Sequence, residues 1–124
     1  MFGCEIPEMP KSVHIVKSCN INDLVDYADL TITILSSTGY IALIREKPLI
    51  MLGYTSLRGK GCCYEAFNFE SLEAVIKNAL ENKMTDEMKI NFIKHIAQMN
   101  KYFLYDDNLP RKIRYGKRPE EFKL

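Results

Sequence analysis

Several features that would assign a function directly are missing from this sequence. Its 124 residues include no tryptophan and only two histidines, and they show no internal repeat or low-complexity tract. No apolar run approaches the roughly 20 residues that cross a bilayer, and no signal-peptide pattern opens the chain. The net charge of +1 lacks the basic excess typical of nucleic-acid binders. These absences predict a cytoplasmic protein without a nucleic-acid partner.

The cysteines and histidines form no pattern typical of a disulfide framework or a metal site. Cys62 and Cys63 are adjacent, and neither histidine lies near a Cys-x-x-Cys pair. We therefore expect reduced thiols, no metal and no cofactor.

What the sequence does contain is a stretch, residues 29–53, that predicts the centre of the fold. Residues 30–35 are β-branched and almost uncharged, which is typical of a strand covered on both faces, and residues 48–52 form a second apolar run. The segment between them predicts a polar turn and a helix. Two buried strands joined by a helix should be parallel, and ligands of parallel sheets collect beyond the carboxyl ends of the strands.

The flanking segments extend this unit. Residues 12–17 predict a first short strand, Asn20 and Asn68 are candidate helix caps, and residues 85–103 predict a long amphipathic helix. The predicted fold class is α/β: a Rossmann-like half-domain with a small parallel sheet, βαβαβ followed by two carboxyl-terminal helices. We expect it to span residues 1–109, with a basic, flexible tail over 110–124.

The best candidate binding element is the turn Ser36, Ser37, Thr38 and Gly39. Small hydroxyl residues before a helix let a phosphate approach free backbone N–H groups. An ordinary helix cap, with Gly39 allowing close helix–strand packing, is the alternative that composition alone favours. The turn lacks the glycine fingerprint of dinucleotide sites and the Gly-Lys-Ser/Thr of a P-loop.

A second candidate group follows the next strand. Gly53 and Tyr54 end that strand, and Tyr54 could stack on a base or sugar or be a half-buried packing residue. Arg58 and Lys60 lie in a glycine-flanked loop, where they could contact a phosphate or a sugar carboxylate or be solvated. His95 lies in the amphipathic helix and is interpreted as structural rather than catalytic.

Short elements between residues 22 and 61 together carry a resemblance to a known family. They are Asp23-Leu24-Val25, Ala28-Asp29, Thr31-Ile32-Thr33, Ser36-Ser37-Thr38-Gly39, Ala42-Leu43, Lys47-Pro48-Leu49-Ile50 and Leu52-Gly53-Tyr54. In this order they resemble the capsule polysaccharide biosynthesis proteins, a family of bacterial sugar transferases. One departure is Ile41, where the family usually has a glutamate that could bind donor hydroxyls.

The resemblance implies the carboxyl-terminal, donor-binding half of a GT-B type glycosyltransferase, which binds a nucleotide-activated sugar donor by its phosphate. It implies that residues 36–39 contact the phosphate and that Gly53 and Tyr54 lie at the nucleotide. A missing amino-terminal domain of the same protein would supply the acceptor site and often the base, so the chain alone is expected to be inactive.

Two other functions stay open at this point. A sugar-nucleotide epimerase-like domain shares the fold but needs acid/base residues that this segment does not show. A non-catalytic interaction module would use the aromatic end of the last helix and the basic tail. The tail could also place the protein at the inner face of the membrane, or simply be solvated. Its cations are Arg111, Lys112, Arg114, Lys117 and Arg118.

Overall fold

The computed structural model describes residues 8–102 as four helices and three strands. The elements are α1 (Ile21–Tyr27), β1 (Thr31–Thr33), α2 (Thr38–Ile44), β2 (Leu49–Met51), β3 (Tyr64–Glu65), α3 (Phe69–Asn82) and α4 (Asp86–Tyr102). The strands form one parallel sheet in the order β1-β2-β3. The predicted α/β class, with a small parallel sheet and two carboxyl-terminal helices, is confirmed.

Strand β2 is the centre of the core, because its alternate side chains face two different groups of helices. Leu49 and Met51 are buried in a cluster with residues of α1, α2 and α4. Ile50 faces the opposite side, where it packs with Tyr64 and with Ala79 of α3. Helices therefore cover both faces of the central strand, as parallel sheets require.

The helices begin where polar side chains can bind the free N–H groups of a first turn. Asn20 Oδ1 accepts a hydrogen bond from the Asn22 N–H at 3.0 Å, and Asn68 Oδ1 accepts one from the Ser71 N–H at 2.9 Å. Both predicted caps are confirmed.

The strand predicted over residues 12–17 is wrong, because the structure has no strand there. Val13, Ile15 and Val16 are each about half exposed, so this apolar run has no buried face to hold it against the sheet. The third strand is instead β3, a two-residue segment within the region predicted as a loop. It pairs with β2 through Tyr64 opposite Ile50.

Strand β1 was predicted to be covered by other elements on both faces, and the structure differs. It lies at an edge of the sheet, and Ile32, Ile34 and Leu35 are exposed. An apolar run signals a strand but does not show which of its faces other elements reach.

Across residues 8–102, no helix is both long and apolar enough to cross a membrane. The predicted basic tail over 110–124 lies outside the described residues, as do the aromatic residues Phe103 and Tyr105. The alternative function as an interaction module depends on those segments, so the described fold neither supports nor opposes it.

Candidate functional site

The hydroxyl turn predicted as a phosphate site forms a closed hydrogen-bonded structure before α2. Ser36 Oγ donates to Thr38 Oγ1 at 2.8 Å and accepts from the Thr38 N–H at 3.1 Å. The Gly39 N–H donates to the Ser36 carbonyl, and the Tyr40 N–H to the Ser37 carbonyl. These three backbone donors and the Ser36 hydroxyl are engaged within the turn, whereas the exposed Ser37 hydroxyl makes no hydrogen bond to another group of the described residues.

Gly39 is buried against the sheet. A Cβ at this position would lie 3.1 Å from Leu49 Cδ2 and 3.3 Å from Met51 Cε. The missing side chain lets the first turn of α2 pack closely on β2. The observed contacts agree with the alternative interpretation of Gly39, in which it allows close helix–strand packing.

Gly53 brings the carboxyl ends of β1 and β2 together. A Cβ there would lie only 2.5 Å from the carbonyl oxygen of Ile34, closer than such atoms can approach. Glycine therefore allows the loop after β2 to pass beside the end of β1. This close approach fixes the position from which the loop of Tyr54 to Lys60 leaves the sheet.

A pocket of about 440 Å³ opens between that loop and α4. Arg58 and Lys60, two of the predicted site residues, line it together. Gly53, Tyr54 and the turn of residues 36–39 are not among its lining residues. The complete lining is Thr55, Ser56, Arg58, Lys60, His95, Gln98 and Met99. The pocket thus combines two cations, two hydroxyls, an amide and an imidazole.

Two aromatic rings fix the Arg58 side chain. Its guanidinium carbon lies 3.8 Å from the ring centre of Tyr54 and 4.7 Å from that of Phe67, which follows β3. The two rings stack on each other with centres 5.2 Å apart. Cation–π attraction therefore holds a positive charge at the pocket while both rings remain partly exposed.

The loop backbone is held by Glu65, which ends β3. Its carboxylate accepts a hydrogen bond from the Gly59 N–H at 3.1 Å. Gly59 has φ +69°, in the left-handed region that favours glycine. This hydrogen bond holds Gly59, which lies between Arg58 and Lys60, and so fixes the turn that carries both cations.

His95 forms the buried side of the pocket and is only 6% exposed. Its Nε2 lies 3.0 Å from the Tyr40 hydroxyl, which is 2.5 Å from Ser56 Oγ. Burial, reinforced by the positive charge of Lys60, lowers the pKa of His95 below its ordinary value, so the ring is neutral at pH 7.

Sequence reasoning missed Tyr40 and Phe67 of this region, and it interpreted His95 as structural rather than as part of a site. Each comes from a different element, α4, α2 and the segment after β3, and joins the loop only in the folded chain. The run of buried positions along α4 was visible in the sequence, but it does not distinguish a packing histidine from one beside a pocket.

A second pocket, of about 410 Å³, has Gly61 among its lining residues. It is lined mainly by uncharged polar groups of α3 and α4, including Asn78, Asn82 and Asn91. Asn91 Nδ2 donates to the Gly61 carbonyl at 3.1 Å, so this contact joins the loop to α4 at the second pocket.

The adjacent thiols Cys62 and Cys63 are buried free cysteines outside the lining of the pocket that contains Arg58 and Lys60. The hydrogen bond between them lowers the pKa of the Cys62 thiol and, together with burial, raises the pKa of the Cys63 thiol. Residues 8–102 contain no group of three or more metal-ligating side chains that could hold an ion.

Comparison with known proteins gives one match. The model of a family described as capsule polysaccharide biosynthesis protein matches residues 2–105. No curated protein matches the chain, and no solved structure does.

Proposed function

This chain belongs to the capsule polysaccharide biosynthesis protein family, and on that premise we propose that it is a glycosyltransferase domain that binds a nucleotide-activated sugar donor by its phosphate. Membership of the family indicates a role in capsule synthesis. The proposal adds the type of reaction, the GT-B type architecture and the ligand.

The observation that carries the proposal is the pocket that contains Arg58 and Lys60. Both cations lie on the loop that leaves the carboxyl end of β2, the edge at which parallel sheets bind ligands. A guanidinium can pair with two phosphate oxygens at once, and an ammonium adds a compact charge. Thr55 and Ser56 supply hydroxyl groups beside these charges.

The other predicted residues have supporting parts in this proposal. The exposed hydroxyl of Ser37 follows β1 and is available to a second phosphate or a sugar hydroxyl, while the Ser36 hydroxyl holds the turn through its hydrogen bonds with Thr38. Tyr54 and Phe67 present partly exposed, stacked rings next to Arg58, where a nucleobase could pack. Gly39 and Gly53 act through packing, because their missing side chains position the turn and the loop.

Sugar transfer breaks the bond between the sugar carbon and the donor phosphate oxygen and leaves negative charge on the phosphate. Arg58 and Lys60 would stabilise that charge as it develops, which lowers the barrier to transfer. The acceptor hydroxyl must lose a proton, and we propose that a second domain supplies the acceptor site and this base. The chain alone would then bind the donor without turning it over.

Binding of nucleotides to the 124-residue chain tests this proposal. Titration with UDP, GDP and CMP, followed by amide NMR, should shift resonances of Arg58 and Lys60. Arg58→Gln should weaken binding about tenfold or more, since a charged hydrogen bond contributes roughly 1.5–3 kcal/mol. Lys17→Gln, a cation outside the pocket, is the matched control and should bind normally. If none of the three nucleotides shifts a pocket resonance, the donor site is not here.

A separate pair of variants tests the turn. Ser37→Leu replaces an exposed hydroxyl with bulk and should weaken nucleotide binding without unfolding the chain. Ser36→Leu should weaken it as well, because it also removes the two hydrogen bonds to Thr38 that hold the turn. Ser18→Leu, at another exposed serine, should leave binding unchanged. Unaltered affinity in both turn variants would limit the donor site to the pocket.

A further inference from the structure

The second pocket differs in charge from the pocket of Arg58 and Lys60. Its lining contains no cation, and Glu87 is its one charged side chain. A phosphate would therefore meet a carboxylate there and no positive charge to offset it. The polar side chains of this lining are Asn78, Asn82, Thr85, Glu87 and Asn91.

Hydrogen bonds to backbone carbonyls orient two of the three amides. Asn91 Nδ2 donates to the Gly61 carbonyl at 3.1 Å, and Asn82 Nδ2 donates to the Asn78 carbonyl at 3.2 Å. A carbonyl oxygen only accepts, so each side chain must turn its nitrogen to the protein and keeps Oδ1 as its remaining polar atom. Asn82 Nδ2 also donates to Asn78 Oδ1, which leaves the Asn78 nitrogen. Within residues 8–102, no hydrogen bond engages these three remaining atoms.

The amino end of α4 adds a hydroxyl and a carboxylate. Thr85 Oγ1 accepts a hydrogen bond from the Met88 N–H at 3.2 Å, so its own proton remains to be donated. Glu87 forms no ion pair with another described residue. The pocket therefore offers both donors and acceptors, and of these only the carboxylate is charged.

Asn78 is an unfavourable residue for its position. It lies exposed inside α3, and asparagine stabilises a helix less than alanine or a long side chain does. Its side chain bonds only to Asn82, and such a pair on a helix surface recovers only part of that cost. A residue that departs from its local preference without a compensating contact indicates a functional position.

The mixture of polar groups distinguishes between classes of ligand. A divalent cation such as Ca²⁺ takes oxygen ligands only, so the amide nitrogen of Asn78 could not bind it, and an anion would be repelled by Glu87. A sugar hydroxyl both donates and accepts, so neighbouring hydroxyls of one ring can pair with donors and acceptors of one pocket.

The pocket also has an apolar wall and a suitable size. Tyr64 and Met88 contribute that wall, and the Tyr64 hydroxyl donates to the Lys83 carbonyl at 2.7 Å, which holds the ring in place. Its volume of about 410 Å³ lies within the roughly 300–1,000 Å³ of small-molecule sites, which combine apolar surface with a few placed polar groups.

We infer that the second pocket binds an uncharged sugar unit through its hydroxyl groups. The inference goes beyond the proposed function and does not rest on it, because neither Arg58 nor Lys60 lines this pocket. It gives the chain a contact with saccharide that is separate from the donor phosphate.

Titration of the 124-residue chain with maltose, lactose and N,N′-diacetylchitobiose tests the inference. ¹H–¹⁵N correlation spectra report the side-chain NH₂ groups directly. The NH₂ of Asn78 should shift most, because its nitrogen has no partner in the free chain, and those of Asn82 and Asn91 should shift less. Asn22 and Asn100, outside the pocket, serve as internal references. No shift at the pocket amides with any of the three sugars overturns the inference.

A substitution at Asn78 tests its donor. Asn78→Ala should retain the fold, since alanine favours helix, and should weaken sugar binding roughly twofold to tenfold, the effect of one neutral hydrogen bond. Asn100→Ala, at an exposed asparagine of α4 outside the pocket, is the matched control and should bind normally. Circular dichroism of both variants verifies the helix content. Equal affinity in Asn78→Ala and the unaltered chain would contradict the inference.

Ion titrations separate this inference from other ligands and from the proposed function. Inorganic pyrophosphate and calcium chloride should leave the NH₂ of Asn78 unmoved. If either ion shifts it and no sugar does, the pocket is an ion site and the inference is overturned. Sugar binding without any nucleotide binding would support the inference and overturn the proposed function. Nucleotide shifts at Arg58 without sugar shifts at Asn78 would do the reverse.

Discussion

Gly53 controls the carboxyl edge of the sheet through the absence of one methyl group. Gly53→Ala would place a Cβ 2.5 Å from the Ile34 carbonyl oxygen, which is backbone and cannot rotate away. We expect the free energy of unfolding to fall by about 1–3 kcal/mol, the usual cost of overpacking. Urea unfolding followed by circular dichroism measures this. Ser18→Ala, in an exposed bend, should change it by less than about 0.5 kcal/mol.

His95 makes the stability depend on pH. Its pKa is lowered in the folded chain by burial and by Lys60, so the unfolded chain takes up a proton at higher pH than the folded one. The free energy of unfolding should therefore be highest above the ordinary histidine pKa of about 6.5 and decline as the pH falls below it.

Urea unfolding at pH 7.5 and at pH 5.5 checks this dependence. His95→Gln should flatten it, whereas His14→Gln, at an exposed histidine, should retain it. An equal slope in the unaltered chain and in His95→Gln would contradict the assignment to His95.

At the level of single residues, the sequence indicated the charged part of the candidate site. Arg58 and Lys60 stood out because they lie in a glycine-containing loop after a strand. Tyr40 and Phe67 did not, and His95 was interpreted as structural, because the relation of these residues to the loop depends on tertiary packing, and no local pattern reports which helix face meets which loop.

Among the elements, α3 has the clearest local stabilising contact. Asn68 Oδ1 accepts a hydrogen bond from the Ser71 N–H at 2.9 Å, which satisfies a donor of the first turn. Asn68→Ala should lower the free energy of unfolding by about 1 kcal/mol. Asn100→Ala, an exposed position inside α4, should leave it unchanged or raise it slightly, since alanine favours helix. Thermal unfolding of both variants provides the comparison.

The strands show where sequence patterns stop being informative. The pattern located β1 and β2 because each lies in a run of β-branched or apolar residues joined by a helix. It placed a strand over residues 12–17, where the run has no partner, and it missed β3. A strand of two residues is too short for alternation to show, and its position depends on pairing with β2.

At the scale of the whole molecule, the open edge of the sheet leaves apolar surface in contact with water. Ile34 and Leu35 are 62% and 65% exposed and adjoin the edge strand β1. The chain should therefore bind an apolar dye such as ANS in its folded state. Ile34→Lys and Leu35→Lys together should reduce the dye fluorescence markedly, and Ile93→Lys, which is equally exposed on α4, should reduce it less.

The architecture as a whole was more predictable than the site. Parallel pairing of β1 and β2 and the two final helices follow from periodicity and connection rules that act on long, strongly patterned segments. The pocket requires in addition that α4 lies against the loop of residues 54–63, a relation between segments far apart in the chain. The resemblance to a family could predict the fold, but it could not predict the contact between α4 and this loop.

The two attachments of this loop to α4 have a consequence for motion. Asn91 holds Gly61, and one helical turn further along, His95 is joined through Tyr40 to Ser56. The loop cannot swing away from the helix unless both attachments break together, so we expect the amides of residues 56–61 to exchange with deuterium as one cooperative group with this part of α4. A ligand would then enter and leave at the rate of that joint opening, which makes residence time a property of the helix as much as of the pocket.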